Sequence, residues 1–204
     1  MKLALITLTL TAAGAVAAPR SAEEARSALD AHLAKVAEGR PVVVTVVHND
    51  DVNRLFPDTR FFAVRVRDYP IAPPKALKAN NLYAVPPAGD VVRLPDEAAL
   101  RDYLRLHASR VQNSSQAKSA VKAWLTLIQE VLQDGRQEFS LREGSLASEW
   151  SDGTRTASAT SAVSKGGKGE VKATLAFDPD GRLKKADTAS DVRPEGVRPV
   201  GPRK

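Results

Sequence analysis

The sequence predicts an α+β protein: an N-terminal helix with a small, mainly antiparallel sheet and a second helix, followed by a long amphipathic helix packed on a four-stranded antiparallel meander. Three observations carry that reading. Apolar residues recur at helical spacing from Ala117 to Asp134, short strand-like segments follow at near-regular intervals between turn signals, and the preceding half reads helix, strands, helix.

Taken in order, the chain opens with Lys2, an apolar stretch and Ala15-Val16-Ala17, which fits the small-x-small rule for signal peptidase. Residues 1–17 are therefore expected to be a cleaved signal and the mature protein to be periplasmic or secreted. The stretch is shorter than the roughly 20 residues a spanning helix needs, and no later stretch approaches that length, so no transmembrane segment is expected after cleavage. Residues 18–112 and 113–190 are expected to form two α+β subdomains, with 191–204 a disordered, basic, Pro-rich tail.

Ser21 and Glu24 form an S-x-x-E capping box, and Ala25, Leu29, Leu33 and Val36 continue at helical spacing until Gly39 can end the helix. His32 lies beside that stripe, where a lone histidine is a packing residue before it is a ligand. Val42 to Val47 is a β-branched run that reads as a strand buried on both faces. From Phe62 the alternation of apolar and polar residues predicts a half-exposed strand, and "NLYAVPPAGDVVRL" a hairpin turning near Pro86 to Asp90. "PDEAALRDYLRLH" places acidic residues in a first helical turn and Leu100, Tyr103 and Leu104 on one face, with His107 a further member.

The helix from Ala117 carries Ala120, Val121, Trp124, Leu125, Ile128, Val131 and Leu132 at i, i+3, i+4, i+7 spacing, with Gly135 as its stop. Strands are expected over 145–150, 154–163, 170–177 and 182–190. The helix should cover one face of this sheet and leave the other, rich in Ser, Thr and Lys, for water or a partner. Over about residues 115–190 this helix-then-meander order is similar to that of cystatin-like, NTF2-like and PepSY-type modules. The cystatin inhibitory string Q-x-V-x-G is not present, so the resemblance implies a fold and a leaning toward binding and transfers no site residue.

Composition excludes several functions. With no cysteine there is no disulfide, no thiol catalysis, no thiolate metal site and no cysteine-linked lipid anchor. The net charge of +6 is spread thinly: residues 18–112 hold 14 basic and 12 acidic side chains, residues 113–190 hold 11 and 10. A nucleic-acid reader would show a basic stripe with interleaved aromatics, so nucleic acid is not an expected partner; an envelope protein or an acidic polymer is.

No catalytic residue and no cofactor is assigned. The densest set of potential ligands is "HNDD", where His48, Asp50 and Asp51 are candidate metal residues at a strand end. Their oxygens suit Ca²⁺ or Mg²⁺, yet calcium takes about 6 to 8 oxygens, and Asn-Asp after a strand ordinarily makes an Asx-turn. Ser115 to Lys118 spells S-x-x-K without the companion S-D-N and K-T-G strings. "KGGKG" lies between strands rather than before a helix, so it is a turn and not a phosphate loop. Asp178-Pro179-Asp180-Gly181 lacks the calcium-loop spacing and fits a type I turn closed by a left-handed glycine. The reading is an exported, non-catalytic protein that binds a partner or ligand through its sheet face; the alternative is a small metal-dependent or hydrolytic enzyme using the His48–Asp51 loop.

Overall fold

The strongest periodicity in the sequence becomes the centre of the molecule. The computed structural model describes residues 20–36, 41–66, 82–132 and 137–194. Counting in chain order, helix α4 (Ser114–Leu132) starts at Asn113, whose side-chain oxygen accepts from Gln116 N–H at 2.9 Å. Ala117, Val121, Ala123, Trp124, Leu127 and Ile128 are all buried. Those positions form one broad apolar face, while the opposite side carries Ser115, Lys118, Lys122 and Glu130, which stay partly or fully open to solvent. One side meets a five-stranded sheet, and the other meets α2 (Asp50–Leu55) and the first sheet.

That first sheet is fully antiparallel in the order β1-β2-β3-β4, with β1 Val42–Val46, β2 Arg60–Val66, β3 Leu82–Val85 and β4 Val92–Leu94. Strict alternation sorts its side chains. Phe62, Val64, Tyr83 and Val85 face α1 (Ala22–Val36) and pack with Ala25, Leu29 and Leu33, while Phe61, Leu82, Ala84 and Leu94 face the central helices. The central layer also holds α3 (Glu97–His107), whose Leu100, Tyr103 and Leu104 are buried as expected. The layers therefore run α1, first sheet, α2 to α4, second sheet. Phe56 and Leu100 from before residue 112 join Trp124 and Leu175 from after it in one apolar cluster.

Two strands differ from the sequence reading. Val42–Val46 is not buried on both faces: β1 is the edge strand, with Val43 38% and Val46 51% exposed, because β-branched residues favour extended backbone whether or not anything covers them. β2 is not half exposed: Phe61, Phe62, Ala63 and Val64 are all buried, since helices cover both faces of this interior strand. His107 is exposed, although its ring stacks on Tyr103 with centroids 4.2 Å apart.

The second sheet runs β10-β9-β7-β5, with β6 also on β7: β5 Glu138–Leu141, β6 Ala147–Trp150, β7 Arg155–Lys165, β9 Glu170–Phe177 and β10 Leu183–Ser190. β5 pairs with the far half of β7 and β6 with its near half. The expected first strand is thus the second piece of an edge strand interrupted near Gly144, whose φ is +71°. The tail also differs at its start. Arg193–Pro194 (β11) pairs with Gly167–Lys168 (β8), and Asp191 N–H donates to Glu170 C=O at 3.2 Å, so residues 191–194 continue the described structure; 195–204, like the expected signal, lie outside the described residues.

The turn joining β9 to β10 is built as the sequence requires. Gly181 has φ +77°, its N–H donates to Asp178 C=O at 3.0 Å, and the Asp178 carboxylate accepts from Arg182 N–H at 2.8 Å. Gly181 C=O also accepts from Val111 N–H at 2.9 Å, and a methyl on Gly181 would collide with the Val111 carbonyl. Gly181→Ala should therefore cost at least about 2 kcal/mol, from strained φ and displaced backbone together, read as a lower denaturant midpoint. The α1 capping box forms too: Ser21 N–H donates to the Glu24 carboxylate at 2.7 Å and Glu24 N–H to Ser21 Oγ at 3.1 Å. The Ser21 backbone N–H first, and then its hydroxyl, hold the Glu24 carboxyl below its ordinary value of 4.5. A lowered folded-state value means that this stabilisation is present above 4.5 and is lost as pH falls through the lowered value. Glu24→Gln should accordingly increase amide exchange in the first turn of α1 at neutral pH, and by less in acid.

Candidate functional site

β1 ends at a short helix rather than at an open loop. Asn49, with φ −153° and ψ 129°, caps α2: its Oδ1 accepts from Asp51 N–H at 2.9 Å and Val52 N–H at 3.1 Å. The Asx-turn expected of Asn-Asp is therefore present, and it initiates a helix that the sequence reading did not include. The first helical turn separates the candidate residues. His48 and Asp50 are exposed, while Asp51 turns toward α4 and is buried.

There its carboxylate is fully engaged. Ser119 Oγ donates to Oδ1 at 2.5 Å, Lys122 Nζ meets Oδ2 at 2.7 Å, and Arg54 Nη1 reaches Oδ1 at 3.4 Å. A cation at Asp51 would have to displace Lys122, and among the described residues no three His, Asp or Glu side chains gather as metal ligands. Ser119 and Lys122 spell a second S-x-x-K, which the sequence reading passed over; the signal was two polar residues at i, i+3 beside the apolar stripe of α4. Ser119 gives its proton to a carboxylate already paired with an ammonium, and Lys122 is an ion-pair partner rather than a free base. The geometry is that of a clamp between α2 and α4 and not of an activated nucleophile.

Elsewhere the ionisable groups serve structure. Glu138 pairs with Lys165 at 2.8 Å, and that hydrogen bond, with the carboxylate charge, raises the lysine above its ordinary value. Tyr103 packs against Phe56 and Phe61, and burial pushes its phenol up despite a 3.3 Å hydrogen bond with Thr59 Oγ1.

The second sheet has one face against α4 and one face that no described helix covers. Ala157, Ala159, Val171, Ala173 and Leu175 point inward and are buried. Their alternating neighbours form the outer face: Thr156, Ser158 and Thr160 on β7, and Lys172, Thr174 and Ala176 on β9. Ser158 stands directly opposite Thr174, with the pairs Thr156 and Ala176 and Thr160 and Lys172 on either side. Arg142–Glu170 at 2.7 Å and Lys185–Asp187 at 2.6 Å are ion pairs of exposed side chains toward its margins.

Fold and site together define an α+β protein with a central helix between two antiparallel sheets and one open sheet face. No family model, curated protein or solved structure matches the chain. No described helix is long and apolar enough to cross a membrane. Asp51→Ala would remove the shared, largely buried partner of Ser119, Lys122 and Arg54 and should destabilise the fold by about 1–3 kcal/mol. A thermal melt insensitive to Mg²⁺ and Ca²⁺ in both the parent and this variant would accompany a purely structural carboxylate.

Proposed function

We propose that the protein is an exported, non-catalytic component of the cell envelope or secreted fraction that docks a partner protein on the outer face of its second sheet. The observation that supports this reading is the uncovered grid of Thr156, Ser158, Thr160 and Thr174, whose hydroxyls have no hydrogen-bond partner among the described residues. Strand spacing and rise give four strands of about eight residues a face on the order of 500 Å². Doubled across two partners, that is near the lower limit for a specific transient protein interface. A flat face of this extent suits a macromolecule rather than a small molecule, which is normally held in a concavity. Small side chains without large apolar groups give a polar interface of the transient kind.

Against the enzyme alternative stands the Asp51 carboxylate, both of whose oxygens already have partners.

A photo-crosslinking amino acid at Ser158 or Thr174 should give one discrete adduct in the envelope fraction, and one at Glu23 on α1 should not. Ser158→Arg should abolish the adduct formed from position 174 without shifting the melting temperature, since the side chain points away from the core. Equal adducts from α1 and from the sheet, or an adduct indifferent to Ser158→Arg, would refute the docking face.

A further inference from the structure

A second feature lies on the opposite side of the sheet, where α2, the connector between α3 and α4, and the start of β10 meet. Two adjoining cavities of about 460 and 340 Å³ form one cleft there and share Leu55, Ser109, Arg110, Val111 and Ala120 as a common wall. The larger lobe adds Arg54 with Ser115 and Ser119; the smaller adds Arg105 and Arg182. Four arginines thus line one cleft, and no aspartate or glutamate lines either lobe.

The arginines differ in what they already bind. Arg54 reaches Asp51, and Arg105 donates to the Lys184 carbonyl at 2.9 Å and pairs with Asp102 at 3.8 Å. Arg110 and Arg182 have no side-chain partner among the described residues. Asp51 is shared between Lys122 and Arg54, and Asp102 pairs with Arg105; neither carboxylate pairs with Arg110 or Arg182. Like charges gathered on low-dielectric walls repel one another and together focus a positive potential into the cleft. The start of α4 borders the larger lobe at Ser115 and Gln116, adding the positive end of a 19-residue helix with no acidic residue in its first turn. Leu55, Val111 and Ala120 form an apolar floor, and the guanidinium groups supply forked donors matched to carboxylate and phosphate oxygens.

We infer that this cleft is a binding site for a ligand carrying two or more oxyanion groups, such as a segment of an acidic polymer. Arg110, which borders both lobes, bridges successive anionic groups, and Arg182 holds the one in the smaller lobe. The sheet-face proposal is independent of this site, because the cleft lies on the side of the sheet that faces the central helices.

Titration calorimetry of the full chain with pyrophosphate and with citrate, at low and at physiological salt, tests the assignment. The expected result is binding that weakens with salt, with phosphate monoanion equivalents binding less well than either probe. Whichever probe binds tighter identifies phosphoryl or carboxyl groups as the preferred oxyanion. Arg110→Ala with Arg182→Ala should weaken binding by roughly tenfold or more while leaving the thermal midpoint unchanged, because both side chains are exposed. The corresponding double lysine variant should recover part of the affinity, as charge is restored without the forked geometry. Absence of heat with both probes at low salt, or unchanged affinity in the alanine variant, would overturn the proposal.

Discussion

The broad buried face of α4 is the constraint on which the rest of the structure depends. A helix with so wide an apolar face is covered by both sheets and by α2 and α3, so each of those neighbours must supply a surface that fits it. Ala117, Ala120 and Ala123 leave room for close approach, while Trp124 fills the largest volume. The indole N–H of Trp124 is carried inside with the ring and must find an acceptor, which Thr188 Oγ1 provides at 3.0 Å. Thr188 lies on β10, whose start is set by the Gly181 turn, and that turn is tied to Val111, just ahead of α4, by a backbone hydrogen bond. The helix and the last long strand are therefore fastened to each other at two points far apart in sequence, one by side chains and one by backbone.

What could be read from the sequence follows from how local each signal is. The α4 stripe, the α1 capping box and the Asp178–Gly181 turn depend on residues within a few positions of one another, and all three form as the sequence indicates. The errors arise where burial is decided by distant elements. Val42–Val46 has the composition of an interior strand but lies at the edge, whereas Arg60–Val66 alternates like a surface strand but is sandwiched by helices. No local pattern distinguishes these cases, because sheet order is a long-range property. The six-residue α2 is too short to announce itself by periodicity and is held by its Asn49 cap and by α4.

The candidate site was legible in the same uneven way. Asp51 stood out by residue type, and its carboxylate is engaged on both oxygens, but besides Arg54 its partners are Ser119 and Lys122 from a helix more than sixty positions away. Those partners decide its chemistry: an acid in reach of ammonium and hydroxyl is a clamp, and the same acid among other acids would have been a ligand. The outer face of the second sheet was legible from alternation alone, since period two assigns Ser158 and Thr174 to the same side once the strands are known to pair. The cleft was not legible, because its arginines come from α2, α3, the connector and β10.

Asp51 nevertheless governs that cleft by position. α2 cannot persist as an isolated helix of six residues, so its direction is set where its carboxylate meets α4. Arg54 and Leu55 follow within the next turn and form one wall of the larger lobe. The opposite wall is α4 itself, with Ser119 shared between clamp and cleft. Because the Asp51 charge is shared between Lys122 and Arg54, the clamp holds the wall in place with its carboxylate already matched. The contact that ties Asp51 to Lys122 and Arg54 thereby fixes one wall of the cleft, while Arg110 and Arg182, without a side-chain partner among the described residues, carry its uncommitted charge.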